Sequence, residues 1–425
     1  MFERFLRNRR WKKILRMLFH EKQGTGAGWG LMFMDKSDLD LGDAEFLIRA
    51  AGEAKGRGDT KERDVAGSLL CAVRDIPAIR GESGLVAQLV ALNQVLTPKA
   101  KSAALQVLCS IGTPEAAASF ADLVAADPDG ISSENYVPTF PASTGPAGAR
   151  RLFPRLFDVI DHEFFGPLAL LNFLEFRQKG IVGAEIATPY ESTILARLAS
   201  SLSQVRAGQS STGLGWKYNS PYTKHSSRAG MLLDLLGWLS GKRFMKALLE
   251  AGDLLDPKLR LFRGISLARM GETVDRDEWD WIARSRPVRP QLLESLGEIM
   301  RPDLIPELCL DQEKIAEGVL ANWLTHGNEW DREPDEIERI YVETRPGPYA
   351  HPGGQTLPDG PYTYWFFKFR VTEEHWARER GWNVGMAGGF PKNRFPTVIS
   401  DGRTFSKFHR VEEKSLKEHV TEYLA

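Results

Sequence analysis

The chain has 425 residues, of which 42% are apolar and 26% charged, and 55 basic against 56 acidic side chains leave a formal net charge of -1. These are globular values, far from the low-hydrophobicity, high-charge regime of disordered chains, and a chain of this length buries a sizeable core. Near-neutrality excludes a molecule-wide attraction to nucleic acid or acidic membranes. No apolar stretch approaches the roughly 20 residues that a membrane span requires, so no span and a cytoplasmic location are expected.

The charge is nonetheless uneven. Residues 1–20 hold seven basic side chains, Arg4, Arg7, Arg9, Arg10, Lys12, Lys13 and Arg16, against Glu3 alone, so the remainder of the chain carries -7. Phe2, Phe5, Leu6, Trp11, Ile14, Leu15, Leu18 and Phe19 recur opposite them at helical spacing, which reads as a basic amphipathic helix. Its expected role is to cap one end of a helical array; Arg9, Arg10, Lys12 and Lys13 are its candidates for polyanion contact. Gly24, Gly26, Gly28 and Gly30 then form a connector. Trp29 stands where a dinucleotide-binding loop would need its third glycine, and no strand precedes the run.

Residues 37–330 read as helical hairpins. Thr97-Pro98 and Thr113-Pro114 each place a capping hydroxyl before a proline at the first helical position, and Gly112 stops the helix that begins near Lys99. The spacing of Leu105, Leu108, Ile111 and Phe120 recurs as Leu233, Leu236, Leu239 and Leu248, and again as Leu293, Leu296, Ile299 and Leu308, with Pro114 echoed by Pro302. A weaker copy has Leu267, Met270, Gly271 and Trp279. Intervals of 31 and 29 residues between positions 239, 270 and 299 are the length of two short helices and two turns. Leu105 to Leu123, LQVLCSIGTPEAAASFADL, resembles the bacterial short form of the HEAT repeat. That resemblance implies an α-α superhelical array over roughly residues 40–325, and a binding scaffold. The pattern lapses near 127–151 and 207–228, which are expected to be long inserted loops.

From residue 331 to 425 the period changes to that of an antiparallel α+β module. Ile337–Glu343, Tyr362–Thr372, Trp382–Gly388 and Thr404–Glu412 are rich in aromatic and β-branched residues and bounded by turn signals, with short helices expected at 373–380 and 413–424. Trp365, Phe367, Phe369 and Val371 should share an apolar face, and Tyr364, Phe366, Lys368 and Arg370 a half-polar one.

The chain carries little written chemistry. Cys71, Cys109 and Cys309 lie singly in apolar runs and read as buried thiols in a reducing compartment. His326, His351, His375, His409 and His419 lack the close pairing of metal ligands, no Gly-x-Ser-x-Gly elbow occurs, and Leu214 replaces the lysine that a phosphate loop needs after Gly213. No catalytic, cofactor-binding or metal-ligating residue is therefore assigned. The best candidate contact for an anion or a polar partner is the cluster Lys217, Lys224, His225, Ser227 and Arg228. There Ser226 and Ser227 are expected to cap a helix running through Met231 to Trp238. The expected function is a non-enzymatic protein-binding scaffold or adaptor. The alternative, a nucleic-acid-binding protein or an enzyme like the HEAT-like DNA-repair glycosylases, needs a basic concave face, which a remainder at -7 disfavours.

Overall fold

The computed structural model describes residue 11 and residues 35–54, 64–132, 136–209, 217, 220–239, 241–326, 333–346, 361–370, 382–391 and 403–404. Within them lie fifteen α-helices and one four-stranded antiparallel sheet near the C-terminus. The chain divides into two compact units, Met1–Arg197 and Leu198–Ala425. No described helix is long and apolar enough to cross a membrane.

The first unit opens with α1 (Leu41–Ala54), α2 (Val65–Arg74), α3 (Val86–Asn93), α4 (Pro98–Ile111) and α5 (Pro114–Ala126). Trp11 is helical and buried; its indole N–H donates to Asp43 at 2.8 Å and its ring stacks on Phe46. The rest of the basic first segment and the glycine connector lie outside the described residues. Both threonine-proline starts form as expected, Thr97 accepting from the Ala100 amide and Thr113 from the Ala116 amide, each at 3.2 Å. Gly112 ends α4 in the left-handed region at φ 65°, where a Cβ would be strained. Leu105, Leu108, Ile111 and Phe120 are buried.

The caps are tied to one another. Asp64 caps α2 by accepting from the Gly67 amide at 2.7 Å, and its second oxygen accepts from the Thr97 hydroxyl, itself the cap of α4. Ser83 donates to Thr113 at 3.1 Å. The ends of successive layers are thus satisfied jointly as well as locally.

The loop expected at 127–151 is shorter, since α6 occupies Gly145–Leu152. Before it, residues 136–140 run non-helically along α4, as prolines at 138 and 141 require. Gln106 donates to the Tyr136 carbonyl at 2.7 Å, and the Phe140 amide donates at 2.6 Å to Asn172 of α7 (Phe165–Gln178). Beyond α7 comes α8 (Glu191–Gly208).

The second unit contains α9 (Ser220–Leu236), α10 (Lys242–Glu250), α11 (Pro257–Arg269), α12 (Arg276–Ala283), α13 (Arg289–Glu298), α14 (Glu307–Leu310) and α15 (Gln312–His326). The loop expected at 207–228 therefore contracts to the stretch between Gly208 and Ser220. Leu233, Leu236, Leu239, Leu248, Leu267, Trp279, Leu293 and Leu296 are buried at the positions the repeat pattern assigns. Ile299 and Leu308 depart from it, the first half-buried and the second 37% exposed. The cause is local: Pro302 opens only the 3-10 turn Pro302–Leu304, so the second helix of that hairpin shrinks to the four residues of α14.

Several side-chain bonds between helices span 30 to 35 residues. In the first unit Thr97–Asp64 spans 33 residues, Arg74–Gln106 32, Gln106–Tyr136 30 and Phe140–Asn172 32. In the second, Ser266–Leu233 spans 33, Tyr222–Asp256 34 and Arg269–Asp234 35.

Strands β1 (Glu336–Arg345), β2 (Tyr362–Arg370), β3 (Asn383–Pro391) and the two-residue β4 (Arg403–Thr404) pair antiparallel in chain order. Both faces of β2 are buried along its first half, which the alternation had divided into apolar and half-polar. On one face Tyr362, Tyr364, Phe366 and Met386 cluster with Ile340 and Tyr341. On the other, Gly385 lies opposite Phe367 and so close to α15 that a Cβ would sit 2.7 Å from Leu320. The polar end keeps its charges paired: Lys368 meets Glu338 at 2.6 Å, Arg370 meets Glu336 at 2.7 Å, and both cations lie over the Trp382 ring. Val371 and the two short helices expected at 373–380 and 413–424 lie outside the described residues.

Candidate functional site

A cavity of about 400 Å³ opens within the second unit among α9, the start of α11, the turn after α12 and the end of α15. Helix α9 lends it Thr223, Ser226, Ser227 and Met231, and Lys217 stands just before that helix. Helix α11 lends Lys258, Leu259 and Phe262, behind its cap residue Asp256. Ser285, Pro287 and Val288 close one side and Thr325 another. Gly230 makes this packing feasible, because a Cβ there would meet the Phe262 ring at 2.9 Å.

Its polar framework begins with a helix start. Asp256 precedes Pro257 and caps α11, one oxygen accepting from the Lys258 amide at 2.9 Å. Its other oxygen accepts from the Tyr222 hydroxyl at 2.7 Å, a buried bond between α9 and the α11 cap. Burial first, and the Asp256 carboxylate second, push the Tyr222 hydroxyl far above its ordinary value, so it stays a donor. Burial also pulls the Lys258 ammonium below the usual lysine range, with Asp256 resisting the change. Ser226 donates to the Thr223 carbonyl at 3.1 Å, and Thr325 donates into its own helix. The Ser285 hydroxyl oxygen is buried without a hydrogen-bond partner. Beside Lys217, burial lifts the Glu333 carboxyl above its ordinary value, while Lys217, Arg286 and Arg289 pull it down.

Of the cluster picked out in the sequence, Lys217 and Ser227 line the cavity; Lys224, His225 and Arg228 lie on α9 without lining it. The expected capping role of Ser226 and Ser227 is overturned, because α9 starts at Ser220 and both serines stand inside it, where no free amides are presented. Arg9, Arg10, Lys12 and Lys13 lie outside the described residues. Sequence reading missed Tyr222, Lys258, Ser285 and Thr325. A signal for Lys258 did exist, since Asp256-Pro257 repeats the cap-proline pattern recognised at Thr97-Pro98 and Thr113-Pro114. Ser285 and Thr325 carry no such signal, being brought to the cavity only by the packing of distant helices.

Elsewhere Cys109 and Cys309 are buried as expected, and burial lifts the Cys309 thiol to about 12 and raises that of Cys109, whereas Cys71 is only half-buried, its thiol raised by burial with Arg74 pulling it down. Among the described residues no three His, Cys, Asp or Glu side chains converge as metal ligands. His326 ends α15, whereas His351, His375, His409 and His419 lie outside the described residues. The chain matches no protein-family model, and comparison with curated proteins and with solved structures gives no match.

Proposed function

We propose that this chain is a non-enzymatic binding scaffold of the HEAT-repeat type, an adaptor that holds a protein partner on the surface of its stacked helical hairpins. The observation that carries the reading is the set of side-chain bonds between helices in both units that span 30 to 35 residues. Such a separation is the length of one two-helix repeat, and arrays of that kind present extended surfaces suited to macromolecular partners. Exposed apolar side chains such as Val95, Leu249 and Leu310 add contact points to them. The buried, unpaired thiols of Cys109 and Cys309 suit a reducing cytoplasm.

Charge placement disfavours the nucleic-acid alternative. Arg155 is engaged by Asp122 and Asp158, Arg206 by Asp253, Arg269 by Asp234 and Arg301 by Asp303. Cations already neutralised by carboxylates release few counterions from a phosphate backbone. The test pairs two measurements on the full chain. Cross-linking in its source cells should recover a protein that rebinds the purified chain saturably, and random duplex DNA at about 0.15 M salt should bind no more tightly than about 10 μM. Nanomolar duplex binding that survives removal of residues 1–20, or metal-dependent hydrolysis by the purified chain, would overturn the reading.

A further inference from the structure

The geometry points to a small-molecule site in the cavity of the second unit, for an uncharged, predominantly hydrocarbon ligand held on Met231, Leu259, Phe262, Pro287 and Val288. This is separate from the partner-binding reading, which needs no cavity. The volume of about 400 Å³ falls within the range of roughly 300–1,000 Å³ typical of sites that enclose small ligands. Its five apolar side chains come from α9, α11 and the turn after α12, so carbon faces the space from three elements rather than along one helix.

The polar groups of the same wall are spent within the protein. The Thr223 hydroxyl donates to the Lys217 carbonyl at 3.4 Å, Ser226 to the Thr223 carbonyl at 3.1 Å and Thr325 to the Ala321 carbonyl at 3.0 Å. Asp256 uses one carboxylate oxygen on the Lys258 amide and the other on the Tyr222 hydroxyl. Lys258 has a partner as well, and burial disfavours its charged form. Lys217 lies near the buried Glu333 carboxyl, whose ionised form it favours. Ser285 is the exception, but its unpartnered hydroxyl oxygen is closed to solvent and so sets no preference.

Carbon therefore makes up most of the surface that the cavity exposes. Water against such a wall forgoes hydrogen bonds that bulk solvent supplies. A hydrocarbon that replaces it releases that water and gains close contacts. A charged head would instead shed its hydration against groups whose bonds are already made, which sets the preference for a neutral ligand.

Two fluorescent probes with nearly the same carbon skeleton test the assignment on the full chain: neutral N-phenyl-1-naphthylamine and the anionic 8-anilinonaphthalene-1-sulfonate. Saturable binding of one equivalent of the neutral probe is expected, with a rise in melting temperature and an affinity about tenfold or more above that of the sulfonate. Met231→Glu, which sets a carboxylate in the apolar wall, should weaken the neutral probe by about tenfold or more. Ser227→Trp, at an exposed α9 position on the cavity rim, should abolish binding with an unchanged circular dichroism spectrum. That variant keeps the test decisive should Met231→Glu fail to fold. Three results would each overturn the assignment, whether or not a protein partner is found. They are no saturable binding up to the solubility limit of the neutral probe, equal or tighter binding of the sulfonate, and full binding to Ser227→Trp.

Discussion

Met300 bears two unfavourable features at once. It is the one non-glycine among the described residues with positive φ, at 54°, and its apolar side chain is 83% exposed. At the ends of α7 and α11 the same left-handed position is filled by Gly180 and Gly271, with φ of 68° and 85°. All three ends close alike, the following amide reaching back five residues: Ile181 to the Phe176 carbonyl, Glu272 to Leu267 and Arg301 to Leu296. That is the Schellman closure, in which a Cβ costs about 1–2 kcal/mol. Met300→Gly should therefore raise the stability of the second unit by about 1 kcal/mol, read as a higher urea midpoint with unchanged slope. An unchanged midpoint would show that the methionine is held by contacts worth as much as its strain.

At the scale of helices and strands, caps and apolar stripes do the specifying. Leu108 lies in the last turn of α4 and is fully buried, so Leu108→Ala should cost about 2–5 kcal/mol and lower the denaturant midpoint accordingly. A loss under about 0.5 kcal/mol would mean the helix face had been misassigned. Much of this level was legible beforehand. The threonine-proline starts, the glycine stop and the strand at 362–370 are local signals, and each forms where its residues place it. The misplaced features have a common physical origin. Ser226 and Ser227 looked like a cap, yet the helix begins earlier at Ser220; Leu308 looked like a core leucine, yet the second helix, cut to four residues, leaves it 37% exposed. In both, a local preference of a few tenths of a kcal/mol to about 1 kcal/mol was outweighed by neighbouring chain. The candidate site was half legible for the same reason: Lys217 and Ser227 share one stretch of sequence, whereas Lys258, Ser285 and Thr325 arrive from three others.

At the scale of the whole chain, the sheet and the helices of the second unit share one core rather than standing apart, since Gly385 admits Leu320 of α15 against the face bearing Phe367. In each unit the layers speak to one another through side chains about one repeat away, and the stretch 136–140 is the place where that conversation depends on two helices simultaneously. A helix supplies its own acceptors, so its amides stay protected when a neighbour departs. The Phe140 amide instead rests on Asn172 of α7, while the Tyr136 carbonyl is held by Gln106 of α4. The stretch thus behaves as a logical AND gate, ordered only while both helices are in place. In native-state hydrogen–deuterium exchange the Phe140 amide should open with whichever of α4 and α7 has the lower opening free energy, and Asn172→Ala should uncouple it from both by removing its acceptor. Protection at Phe140 that outlasted either helix would show that the gate does not exist.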